Sequence, residues 1–145
     1  MNPVPSRRLL KKVSAWRPGR LEPLLDPEAR GCFELSRSLG RHLARAGFSV
    51  KYLSLFGLTD PALVLQDDCS YFTDGRDLKE EYLFSTIQHV CVVVSGLAVD
   101  PTAGQFARLQ RGTDIRPVTA KLRGWANHRV CRSPETAVGF WRLFS

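Results

Sequence analysis

His-Val-Cys-Val-Val-Val-Ser-Gly-Leu-Ala-Val-Asp, residues 89–100, is the stretch on which the fold turns. Its first half, HVCVVV, is dense in β-branched residues, which suit a pleated and buried strand. Ser95-Gly96 supplies small residues for a tight hairpin turn, and LAVD reads as the returning strand. A hairpin turning there pairs residues whose numbers sum to about 191. That pairing brings His89 and Asp100 together at the open end of the hairpin. An imidazole beside a carboxylate is held in one tautomer and stabilised once protonated, the arrangement a general base requires. Cys91, two residues on from His89, shares its face of the strand.

Upstream of the hairpin, CFELSRSLGRHLARAG (32–47) reads as a helix. Cys32, Leu35, Leu39 and Leu43 recur at spacings of three and four, opposite Arg37, Arg41 and Arg45. Gly47 is placed to end it, and a strand is expected over Phe48–Phe56. Residues 57–82 carry seven acids beside Pro61 and Gly75 and read as loop, with a short helix near the end. Ser6–Trp16 reads as a basic amphipathic helix, and Pro18, Gly19, Pro23 and Pro27 make 17–31 an irregular lead-in. Downstream, a short helix is expected over Gly104–Gln110 and a strand over Ile115–Leu122. Ser133-Pro134-Glu135 is a strong helix start, with a cap, a first-turn proline and an acid at the positive dipole end. Helices followed by strands make an α+β chain.

Cys32 stands, on this reading, at the first position of its helix, directly after Gly31. Unpaired N–H groups and the helix dipole there favour an anion, and a thiolate is the reactive form of cysteine. Gly31 leaves room for a substrate backbone. His42 and His128 read as surface or packing residues, and Trp16, Trp125 and Trp141 as core.

Composition narrows the classes. The 145 residues, 43% of them apolar, suit one core. No apolar run nears the roughly 20 residues that span a membrane, and the start lacks a cleavable export signal. The net charge of +7 is uneven: residues 1–20 and 104–145 each carry +6, and the stretch between them −5. A solvated basic surface accounts for this better than nucleic-acid binding, since no aromatic-basic interleaving accompanies it. Cysteines 32, 69, 91 and 131 form no C-x-x-C pair, which argues against a zinc site, and a chain of this size needs no disulfide framework. No metal or cofactor is expected.

The order G-C-F-E-L-S on a helix, H-V-C-V-V-V-S-G on a strand and V-D-P-T-A-G-Q-F after it resembles the papain-like/transglutaminase-like cysteine enzymes. Within that superfamily it is most similar to the papain-fold toxin domains, protein glutamine deamidase-like, of bacterial effectors. The resemblance covers about residues 30–106, and D-P-T-A-G-Q-F (100–106) is its most specific part. It implies a papain-like catalytic domain over 31–145 behind a basic lead-in over 1–30, with the nucleophile helix packed on a small antiparallel sheet. It also implies a triad of Cys32, His89 and Asp100, with Gly31, Phe33 and Gln105 in the substrate or oxyanion neighbourhood. One feature departs from the family pattern: no glutamine precedes Cys32, the first being Gln66, so an oxyanion would depend on the Cys32 N–H and a further donor. The implied activity is amide acyl transfer, with glutamine deamidation first and peptide hydrolysis or transglutamination as alternatives. An inactive papain-fold binding module is the rival from another class. The implied setting is a soluble toxin or effector in the cytoplasm of the producing or target cell, released without a classical signal peptide. Its partners would be a protein substrate and a cognate immunity or delivery protein.

Overall fold

The computed structural model describes residues 2–17, 27–59, 87–103 and 113–144, with backbone alone for 27–31. Helix α1 covers Arg7–Ala15 and opens on Ser6, whose hydroxyl accepts from the Leu9 N–H. Helix α2 covers Pro27–Arg45, and its last carbonyls are met in two ways. Gly47, at φ 94°, turns the chain so that the Phe48 N–H reaches the Leu43 carbonyl, while the Arg8 guanidinium from α1 donates to the Ala46 carbonyl. The Arg8 guanidinium also lies 4.4 Å over the Phe48 ring. The basic N-terminal helix is thus docked, with Leu9 buried in the main core.

Five strands follow: β1 (Lys51–Leu58), β2 (Gln88–Val94), β3 (Leu97–Asp100), β4 (Asp114–Pro117) and β5 (Trp125–Cys131). They form one antiparallel sheet in the order β4-β3-β2-β1-β5. The β2–β3 hairpin has the expected register, pairing Val92 with Val99, Val93 with Ala98 and Val94 with Leu97. Its turn residues Ser95 and Gly96 both have positive φ, 50° and 76°, the geometry that matches strand twist in a two-residue hairpin. Between β4 and β5 lies the one-turn helix α3 (Val118–Lys121), and helix α4 (Pro134–Trp141) closes the fold. The α4 start is a reciprocal box: Ser133 Oγ accepts from the Thr136 N–H, and Thr136 Oγ1 accepts from the Ser133 N–H.

Strand alternation sorts the core into two faces. Val90, Val92, Val94, Leu97 and Val99 point to the α1–α2–α4 side, with Leu39, Leu43 and Phe140. Leu53, Leu55, Cys91, Val93 and Ala98 point the other way, with Trp125 and the half-buried Val118 and Leu122. The mixed helix-and-sheet architecture and the small antiparallel sheet are as expected from sequence.

Four local expectations need correction. α2 starts at Pro27, five residues before Cys32, because a proline in the first helical turn starts a helix instead of breaking it. The first strand is shifted to Lys51–Leu58. The strand expected over Ile115–Leu122 ends at Pro117, and the chain then turns into α3. A proline has no N–H to continue the ladder, so the turn follows it directly. The strand β5 was not foreseen: as an edge strand it leaves Ala126, His128, Arg129 and Val130 exposed, which blurs any period-two signal. The helix expected over Gly104–Gln110 and the acidic loop, apart from its first residues, lie outside the described residues. Among the described residues no helix is long and apolar enough to cross a membrane.

Candidate active site

His89 is the second residue of β2 and Asp100 the last of β3, so the antiparallel hairpin delivers both to one end of the sheet. Continuing the register sets Asp100 opposite Cys91, two residues from His89 on the same face. There His89 Nε2 donates to Asp100 Oδ2 at 2.7 Å, with both side chains buried. The sequence-derived pairing is therefore present as a direct hydrogen bond.

The Asp-Pro-Thr segment has a physical role at this point. Asp100 Oδ1 accepts from the Thr102 N–H at 3.0 Å and from its hydroxyl at 3.3 Å, so the carboxylate caps its own turn. Oδ2 accepts a second donor besides His89: Lys121 Nζ from α3, at 2.5 Å. All of Asp100's bonding directions are therefore used, and its plane is fixed. Burial alone would raise its pKa, but His89 and Lys121 together hold it well below the usual carboxylate range.

Cys32 reaches this pair from the opposite side of the sheet. It is 7% exposed and belongs to the helix-side core, yet it is near enough to His89 to favour the protonated ring. Burial would depress the histidine's pKa, but Asp100 and then Cys32 outweigh it and raise it to about 9. Ser36, one turn after Cys32 on the same face of α2, donates to the Val90 carbonyl at 3.0 Å. That bond ties the cysteine's helix to the strand residue next to His89. The indole of Trp125 stacks on the imidazole with ring centroids 6.0 Å apart.

The three triad candidates are thus brought together by three separate elements. Their expected surroundings fare differently. Phe33 is half-buried against the helix-side core, with the Arg37 guanidinium 5.3 Å from its ring centroid. Gly31 lies within α2, and Gln105 lies outside the described residues. Because Cys32 is the sixth residue of α2, its N–H falls within the intrahelical ladder, and the dipole effect of the first turn lies behind it. The helix start therefore neither favours a thiolate at Cys32 nor leaves its N–H as an oxyanion donor. The ionisable group its side chain interacts with is His89.

Sequence reasoning missed Lys121, Thr102 and Ser36. Thr102 had a signal, since an Asp two residues before a Thr is a recognisable local turn. Lys121 had none, because an isolated lysine is read as solvated. Among the other cysteines, Cys91 is buried, and burial with the nearby Asp100 pushes its pKa strongly up, so it stays a thiol. His42 donates through Nε2 to the Lys12 carbonyl at 2.8 Å, a packing role, and His128 is exposed. In comparisons with known proteins the chain matches no family model, no curated protein and no solved structure.

Proposed function

We propose that this protein is a cysteine-dependent acyl-transfer enzyme of papain-like fold acting on amides, with Cys32 as nucleophile, His89 as acid–base group and Asp100 as its orienting carboxylate. The observation that carries the reading is the buried hydrogen bond from His89 Nε2 to Asp100, with the Cys32 side chain near enough to bias the same imidazole. His89 takes the thiol proton, and the sulfur attacks the amide carbonyl carbon. The C–S bond forms as the carbonyl π pair moves to oxygen. When the pair returns, the C–N bond breaks, and His89 gives its proton to the leaving nitrogen. A thioester remains. Water then attacks it, losing a proton to His89, the C–S bond breaks, and a carboxylic acid leaves as Cys32 recovers its hydrogen. With glutamine the leaving group is ammonia; with a peptide bond it is an amine; with an amine replacing water the outcome is cross-linking.

Glutamine deamidation of a protein substrate is the first choice because the sequence resembles the deamidase-like toxin domains through D-P-T-A-G-Q-F and the order of Cys32, His89 and Asp100. That resemblance also supports a role as a bacterial toxin or effector. The second reading, an inactive binding module, is favoured by one observation: the Cys32 N–H lies in the helix ladder, so it is not free for an oxyanion. Intact-mass spectrometry of candidate substrate proteins decides between them. The expected product is heavier by about one dalton per deamidated glutamine and is absent with Cys32→Ala, whereas fragments or adducts mark the other two acyl-transfer outcomes. No change under any condition favours the binding module.

A further inference from the structure

We infer that Lys121 is a positioning residue of the site: bonded to the same Asp100 oxygen as His89, it fixes the carboxylate and divides its charge between two cations. The inference rests on the proposed acid–base role of His89. A buried lysine is costly unless its charge is paired and hydrogen-bonded, so its place at the site needs an explanation. Lys121 is 4% exposed on a helix of four residues, and its ammonium donates to Asp100 Oδ2. Although burial favours the neutral amine, Asp100 outweighs it and raises the lysine's pKa, so Lys121 is an ammonium at every pH where the enzyme would work.

The consequence lies in His89. A buried carboxylate with the imidazole as sole cationic partner holds its proton tightly, and an imidazolium that is too weak an acid cannot protonate a leaving nitrogen near neutral pH. Because Lys121 and His89 share one oxygen, their nitrogens lie close, and each cation disfavours the other. Lys121 therefore keeps Asp100 ionised and in plane while limiting the basicity that Asp100 confers on His89. Among the described residues, the other groups known to act on the imidazole have different roles. Cys32 faces it from α2 and raises its proton affinity, and Cys91 on the same strand is a thiol. From β4, Asp114 and Arg116 form their own ion pair, which acts on Cys91 and Lys121. From β5, Trp125 is uncharged and His128 is exposed.

Ring NMR of a protein with only three histidines tests this directly. In the wild type His89 is expected to titrate well above its ordinary value, at about 9. In Lys121→Met the titration moves upward by about one pH unit, a tenfold change in the acid constant, while Lys121→Arg leaves it near the wild-type value. A Met variant whose His89 titrates as in the wild type overturns the inference and leaves Lys121 a structural ion pair. Should the Met variant not fold, the ¹⁵Nζ signal of Lys121 in the wild type replaces it. That signal carries an inflection at His89's pKa if the two share the oxygen, and a flat signal overturns the inference. Iodoacetamide labelling of Cys32 in the same wild-type sample separates failures: an inert Cys32 removes the enzyme reading, whereas a reactive Cys32 with an unmoved His89 removes only the role of Lys121.

Discussion

At the scale of single residues Asp100 is the hub of the site, its two oxygens holding His89, Lys121 and both donors of Thr102. Its linkage to stability has two signs. Asp100 has a lowered folded pKa, so its contribution is present above the ordinary carboxylate value and is lost as pH falls below it. His89 has a raised folded pKa, so its contribution is complete below pH 6.5 and is lost as pH rises through about 9. Thermal unfolding is accordingly expected to show the melting temperature falling between those two pH values. Asp100→Asn removes the main cause of the His89 shift, so that fall should flatten. The same variant should lose about 3–5 kcal/mol at pH 7, because it breaks the buried ion pair of Lys121 with Asp100. A pH slope in Asp100→Asn equal to the wild type's would contradict the assignment. Of these groups, His89 and Asp100 were legible from sequence because a two-residue turn dictates hairpin register and so distance. Lys121 was not, since a chain position says nothing of burial when the residue sits on a one-turn helix after a proline.

Among the elements, α2 matters most because it carries Cys32 to a site otherwise built from the sheet. Its amphipathic stripe was readable, with Leu39 and Leu43 fully buried as the periodicity implied. Its start was not: the prolines before it looked like a linker, and the helix extends back to Pro27. Periodicity also cannot reveal the polar bond that fixes α2 along its axis, from Ser36 to the Val90 carbonyl. The fold holds a natural control in Ser54, equally buried on β1, which donates to the Ala137 carbonyl of α4 at 2.9 Å. Ser36→Ala and Ser54→Ala should each cost about 1 kcal/mol in denaturant unfolding. Only Ser36→Ala should slow alkylation of Cys32, because only that bond lies between the cysteine's helix and the histidine's strand. Equal alkylation rates in the two variants would show that the bond anchors the helix without positioning the sulfur.

For the whole molecule, the sheet separates two cores, and the site lies where they meet at one sheet end. Cys32 belongs to the helix-side core, whereas His89 and Asp100 alternate with the opposite face, where α3 brings Lys121. Neither core alone assembles the group. Cys32, His89, Asp100 and Lys121 come together only when α2, the hairpin and α3 are all in place, which ties the group to the folded state. The central claim is that His89 activates Cys32, and alkylation by iodoacetamide with peptide mapping at pH 7 tests it most directly. Cys32 is expected to react about tenfold or more faster than Cys91 and Cys131, and His89→Ala to abolish that advantage in a protein that still folds. A Cys32 that reacts no faster than Cys131, or equally fast without His89, would contradict it.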